Sequence, residues 1–146
     1  LEWPGKAEAG RDTSVASVTS DYFATVLDVL GYKLPVEDRR PYDGVSLLPL
    51  IEGKVSKRSA PIGFQGHGLA TLNDNRFKLV HNPGKKRLKS DNGDAPISEW
   101  ELYDLKTDQG EAHNVIEQHA KVAARMRKQL EEWQASCEES SSGADY

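Results

Sequence analysis

The last third of the chain carries the pattern that most limits what it can fold into. From Val115 the apolar positions run Val115, Val122, Met126, Leu130, Trp133 and Cys137, with His119 filling the first gap. Spacing of three and four sets these on one side of a helix, while Lys121, Arg125, Lys128, Glu131 and Glu132 fall largely elsewhere. A helix with one apolar side must cover something. The stretch just before it supplies the partner: Trp100 to Leu105 alternates bulky and polar groups as a half-buried strand does. Between the two, Asn114 is placed to cap the helix through its side-chain oxygen, and Glu117 to reach back to the Asn114 amide as in a capping box. The pattern predicts a long helix laid across a sheet.

Further strands are written upstream. Ala60 to Gln65, Leu69 to Leu72 and Arg76 to His81 read as short strands, with Asn73, Asp74 and Asn75 as a hairpin turn and Phe77 and Leu79 on one face. Asn82 to Ser98 is rich in Gly, Pro, Asn and Lys and reads as a long exposed loop. Nearer the start, Asp12 to Val18 has the composition of a short strand. Thr19, Ser20 and Asp21 offer caps to a helix whose stripe is Tyr22, Phe23, Val26, Leu27 and Leu30, closed by Gly31 and stopped by Pro35. Glu37 to Tyr42 reads as a surface linker and Asp43-Gly44 as a turn. Ser46 to Gly53 reads as one or two helical turns with Leu47, Leu48, Leu50 and Ile51 pinned to a core. The fold class is therefore α+β: an antiparallel sheet of about four strands, packed by a long C-terminal helix, with a strand and helix before it.

A chain of 146 residues with 37% hydrophobic content suits one domain with a core of its own. Its formal net charge of −4 gives no overall attraction to nucleic acid or to anionic membrane, so neither is expected as a partner. No apolar run approaches the roughly 20 residues of a membrane helix. The opening LEWPG reads as a strand cut just before its turn, the start expected of a piece of a longer protein. A single cysteine cannot close an internal disulfide, and Cys137 on the apolar helix face reads as a small buried hydrophobe.

Catalytic signatures are scarce. The chain has no phosphate-binding glycine loop, no nucleophile elbow, no Cys-x-x-Cys pair and no zinc-protease helix motif. His113 and His119 point to different sides of a helix, which does not suit a shared metal. Asp104, Asp108 and Glu111 surround a turn, where carboxylates serve as caps and turn formers or, alternatively, crowd together as an acid/base group. Two places could touch a ligand. Gln65 and His67 lie at a strand end beside Gly66 and Gly68, either as a binding turn or as a plain hairpin with an exposed ring. Lys85, Lys86, Arg87 and Lys89 form a basic cluster on the long loop, either attracting sulfate or phosphate or simply solvated.

Five motifs in order carry a resemblance: WPGK at Trp3 to Lys6, SDYFATVLDVLG at Ser20 to Gly31, DGVSLLPLIEG at Asp43 to Gly53, RFKLV at Arg76 to Val80, and ELYDLKTDQGEAHNV at Glu101 to Val115. Together with the SCEESSSGADY tail, they resemble the carboxy-terminal part of the sulfatase family, near bacterial arylsulfatase and N-acetylgalactosamine-6-sulfatase relatives. Ala24 stands where many relatives have Pro, and Gln109 where Asp-Pro is common. The resemblance implies a parent enzyme that hydrolyses sulfuric esters, on sulfated carbohydrate, with a formylglycine nucleophile made in a Cys/Ser-x-Pro-x-Arg motif beside a calcium ion. That motif does not occur here, so the resemblance implies no catalytic and no metal-binding residue in this segment, which alone is expected to be inert. It further implies that residues 1–55 end the large α/β catalytic domain and that 56–146 form the smaller subdomain. The amino-terminal catalytic domain is then the protein partner, with Gln65, His67, Lys85, Lys86 and Arg87 as tentative substrate contacts at the cleft rim, in a periplasmic or secreted parent. A free-standing binding module for anionic glycans and a purely structural subdomain are the competing expectations.

Overall fold

Four strands follow one another in space as they do in sequence: β1 (Ile62–Gly66), β2 (Leu69–Asp74), β3 (Phe77–His81) and β4 (Trp100–Asp104). The computed structural model describes residues 3–35, 41–84 and 97–144. Register follows the alternation of side chains. Leu72 stands opposite Leu79 and Leu79 opposite Leu102, so three leucines share one row of one face. Phe77 and Ala70 extend that face. Across it lies the long helix, α3 (Ala120–Ser141), which contributes Ala123, Met126 and Leu130. Leu79, Leu102, Met126 and Leu130 are wholly inaccessible, each stabilising the fold by about 1.5–3 kcal/mol through burial.

The start of α3 differs from the expectation. Asn114 does not cap it: the helix begins at Ala120, after a turn in which the Gln118 and His119 amides both donate to the Val115 carbonyl. The Asn114 side chain instead accepts from the amides of Ile116 and of Leu102 in β4. An Asx turn and a bond to the sheet edge compete for the oxygen that a cap would use. Ala123, too small to register in the pattern, joins the core, while Cys137 and Trp133 are half-buried. The Trp133 indole lies against Gly63 of β1, where an added Cβ would come 2.5 Å from the ring.

A second compact unit precedes Gly63, so the chain holds two units where its length alone suits one. Helices α1 (Asp21–Leu30) and α2 (Leu48–Ile51) form it. As expected, α1 closes on Gly31, whose φ of 61° is the left-handed cap, and its last turn is satisfied by the Tyr32 amide on the Leu27 carbonyl. Apart from the half-buried Leu27, the apolar stripe does not face inward. Tyr22 is 68% exposed, Phe23 50%, Val26 55% and Leu30 71%, and the side turned inward is marked by Asp21 and Ala24. Periodicity locates a stripe on a helix but not the surface that covers it, and here polar anchors decide the orientation. The Val45 amide donates to Asp21, the Leu47 amide to Thr25 Oγ1, and the Ser46 hydroxyl to Asp28.

Other short readings fail locally. Residues 11–18 form no strand among the described residues, because the amides of Thr13 and Val15 bond to the side chains of Asp12 and Thr13 rather than to a neighbour. Asp43-Gly44 is not a turn; Gly44 lets the chain pass against the Ser20 carbonyl oxygen, which any Cβ there would strike. In α2 only Leu50 is buried, and Leu47, Leu48 and Ile51 are half-buried. The β2–β3 turn falls on Asn75 and Arg76, one step later than the Asn73 to Asn75 reading.

Candidate functional site

The hairpin joining β1 and β2 presents the first two residues singled out in the sequence. His67 (φ 54°) and Gly68 (φ 80°) form a two-residue turn with both residues left-handed, which suits the twist of paired strands. His67 is exposed at the tip. Gln65 is exposed too, but its side-chain oxygen accepts from Gln134 Nε2 of α3 at 2.9 Å, so it is held to the helix rather than aimed at solvent. Lys85, Lys86, Arg87 and Lys89 lie outside the described residues. The base of their loop is within them: the Asn82 amide donates to the Glu99 carbonyl at 2.7 Å, and His81 stacks on Trp100 with centroids 3.9 Å apart and planes at 7°. Arg127 of α3 sits over the Trp100 ring, 4.3 Å from its centroid.

The three carboxylates of the following turn are separated by their partners. Arg76 grips Asp104 through Nε and Nη2, and those hydrogen bonds hold the Asp104 carboxyl below the ordinary value. Asp108 accepts from the His113 and Ala112 amides, which lower its carboxyl likewise. Lys78 Nζ binds both oxygens of Glu111. Each carboxylate has its own donor, so the turn-forming reading holds and no shared proton site results. His119 packs its ring on Phe77, centroids 5.1 Å apart, and His113 leans on Asp108 at 3.4 Å.

One arrangement escaped the sequence reading. Asp21, read as a cap, and Arg58, read as the end of a charged break, form a buried pair: Nη1 to Oδ2 at 2.5 Å and Nη2 to Oδ1 at 2.8 Å. The same carboxylate accepts from the amides of Val18 and Val45. Burial pushes the Asp21 carboxyl up, but the guanidinium and the two amides outweigh it and leave it below the usual carboxylate range. Enclosed and saturated, this carboxylate ties together three segments and offers no lone pair to a substrate. No local motif links residues so far apart in the chain, so only the fold brings them together.

Neither group implied for a sulfatase centre fits the described residues. No three His, Cys, Asp or Glu side chains among them gather as a ligand set. Cys137 lies inside α3, half-buried and followed by Glu138, with no proline or arginine positioned as in the formylglycine motif.

Comparison with known proteins closes the question of family. The chain matches the family described as N-sulphoglucosamine sulphohydrolase, C-terminal, over residues 1–136. It is 28% identical over 151 aligned residues to the N-acetylglucosamine-6-O-sulfatase of Bacteroides thetaiotaomicron, covering 92% of this chain and 24% of that protein. It thus spans about a quarter of that relative's length. A solved protein bound to its substrate D-glucosamine-2-N,6-O-disulfate superposes with a TM-score of 0.61 at 26% identity, over 92% of this chain and 27% of that one. The fold alone is shared with Ps i-CgsB, at a TM-score of 0.67 and 20% identity over 92% of this chain and 28% of that one. With the family match running through both units and the antiparallel sheet crossed by its helix common to the solved relatives, the chain belongs to the sulfatase family, in the part described as the C-terminal region of N-sulphoglucosamine sulphohydrolase.

Proposed function

We propose that this chain is the trailing part of an enzyme that hydrolyses sulfate esters of a carbohydrate, of the sulfated amino-sugar class that the relatives' names describe, and that it completes the parent fold without supplying the reacting groups. The observation that carries this reading is the outward face of α1. Tyr22, Phe23, Val26 and Leu30 are each half exposed or more, and Phe23 meets the exposed Tyr42 edge-on at 5.4 Å between centroids. Large apolar side chains left exposed along one helix in this way mark an interaction site rather than a finished exterior. Its cover is the catalytic portion of the parent, which in this reading also holds the formylglycine and calcium and accounts for the three quarters of relative length beyond the match.

At the rim of the cleft, His67 is the residue best placed to meet a sugar. It projects from a rigid two-residue turn, and its ring can both donate and accept. Gln65 would add a hydrogen bond only by giving up Gln134. The Lys85, Lys86 and Arg87 cluster is assigned to attraction of the anionic substrate, a long-range and salt-sensitive contribution.

Two substitutions test the cover. In the full-length parent, Phe23→Asp or Val26→Asp should sharply reduce the yield of folded, active enzyme, since a charge would be forced into an apolar contact. In this chain alone Val26→Asp should stay within about 0.5 kcal/mol, and Phe23→Asp should cost about 1 kcal/mol through its edge contact with Tyr42. Unchanged yield and activity in the parent would refute the covered face. For the rim, His67→Ala in the parent should raise KM for the sugar substrate and leave turnover of a small aryl sulfate intact.

A further inference from the structure

His67 stands on the part of the sheet with least support from its neighbours. Within the sheet, β1 ends the strand order and pairs with β2 alone. Among the described residues the His67 ring has no hydrogen-bond partner of its own, so its place is set by the backbone of the hairpin. A two-residue turn with both residues left-handed fixes that hairpin internally. It does not fix the hairpin against the rest of the unit.

Two consecutive residues of α3 supply that second constraint. Trp133 lays its indole on Gly63, and Gln134 Nε2 donates to Gln65 Oε1 at 2.9 Å. Gly63 and Gln65 are two positions apart, so both meet the helix from one side of β1, and the turn begins two residues beyond the second contact. An apolar contact tolerates sliding, whereas a hydrogen bond is directional, so it is Gln134 that sets where the hairpin rests along the helix. Nothing else in the fold asks for an amide there. Gln134 is half-buried inside α3, where the backbone groups are already paired, and among the described residues its side chain makes this bond alone.

We infer that Gln134 is a positioning residue for substrate specificity: by holding Gln65 it holds the β1–β2 hairpin, and through the hairpin His67, against the sugar. The inference rests on the role proposed for His67 and assigns no reacting group to α3. Its test uses the full-length parent, with 6-O-sulfated glucosamine and a small aryl sulfate measured side by side. Gln134→Leu keeps the size and helix propensity of the side chain and deletes the bond. KM for the sugar should rise about threefold, in keeping with one surface hydrogen bond, with kcat unchanged and both constants for the aryl sulfate unchanged. In a His67→Ala background the same substitution should raise KM no further, because the two residues act through one contact. Should Gln134→Leu lower the yield of folded parent, the unbranched Gln134→Met serves in its place. An unchanged sugar KM in Gln134→Leu, beside a raised one in His67→Ala, would overturn the inference and leave the rim reading standing. An unchanged KM in His67→Ala would refute the rim reading and the inference with it. Equal losses on sugar and aryl sulfate would mark Gln134 as structural only, and a further rise in the His67→Ala background would show that it acts elsewhere. A fall in KM would mean that the freed Gln65 binds the sugar itself. Each of these last three results overturns the inference.

Discussion

Asp21 shows how little of a residue's role its neighbours in sequence reveal. At the start of an apolar-striped helix it reads as a cap, yet its carboxylate is enclosed, doubly bonded to Arg58 and bonded to two amides. Removing one member leaves the other charge buried and uncompensated. Asp21→Asn should therefore cost about 3–5 kcal/mol in urea unfolding, and Arg58→Met a similar amount. The double substitution Asp21→Leu with Arg58→Met should cost less than the sum, because neither charge is then stranded. The carboxyl titrates below its unfolded value of 3.8 in the folded chain. Its contribution is hence fully present above about pH 3.8 and is lost as pH falls through the lower folded value. The slope of stability against pH below that point should flatten in Asp21→Asn. Asp104 and Asp108 are shifted in the same direction and steepen acid unfolding in the same window.

Among the elements, the strands and the terminal helix were legible because each carries a period that only one secondary structure satisfies. Leu72, Leu79 and Leu102 alternate with polar residues along their strands, and Met126 and Leu130 fall four apart on α3. What periodicity cannot specify is where a helix starts when a side chain has a better partner, as Asn114 does in Leu102 and Ile116. Nor can it foresee that a glycine inside a strand exists to admit a ring. The indole of Trp133 rests where the Gly63 Cβ would be, so Gly63→Ala should cost about 1–3 kcal/mol by overpacking. Trp133→Ala should cost about 2–3 kcal/mol, less than a fully buried tryptophan, because the ring is half-buried. In the Trp133→Ala background the penalty of Gly63→Ala should largely vanish. A double-mutant cycle in thermal unfolding reads that coupling directly.

At the scale of the whole molecule, the two units differ in what they leave unfinished. The sheet unit closes its own core between β2, β3, β4 and α3. The unit before it leaves the apolar side of α1 in water and holds that helix in place by polar bonds to Val45, Ser46 and Leu47. Amphipathicity announced the stripe; it could not announce that the stripe would be left outward, the face for which a cover in the parent is proposed above. The candidate substrate contacts were the least legible, since an exposed His67 on a turn has the same sequence signature whether it meets a sugar or only solvent. In the function proposed above, these residues shape a sulfatase whose reacting groups belong to the rest of the parent. The direct measurement is sulfate release from 6-O-sulfated glucosamine by the purified chain, beside the full-length parent under the same conditions. The account predicts release by the parent and none above the uncatalysed background by the chain. Turnover by the chain alone would contradict it.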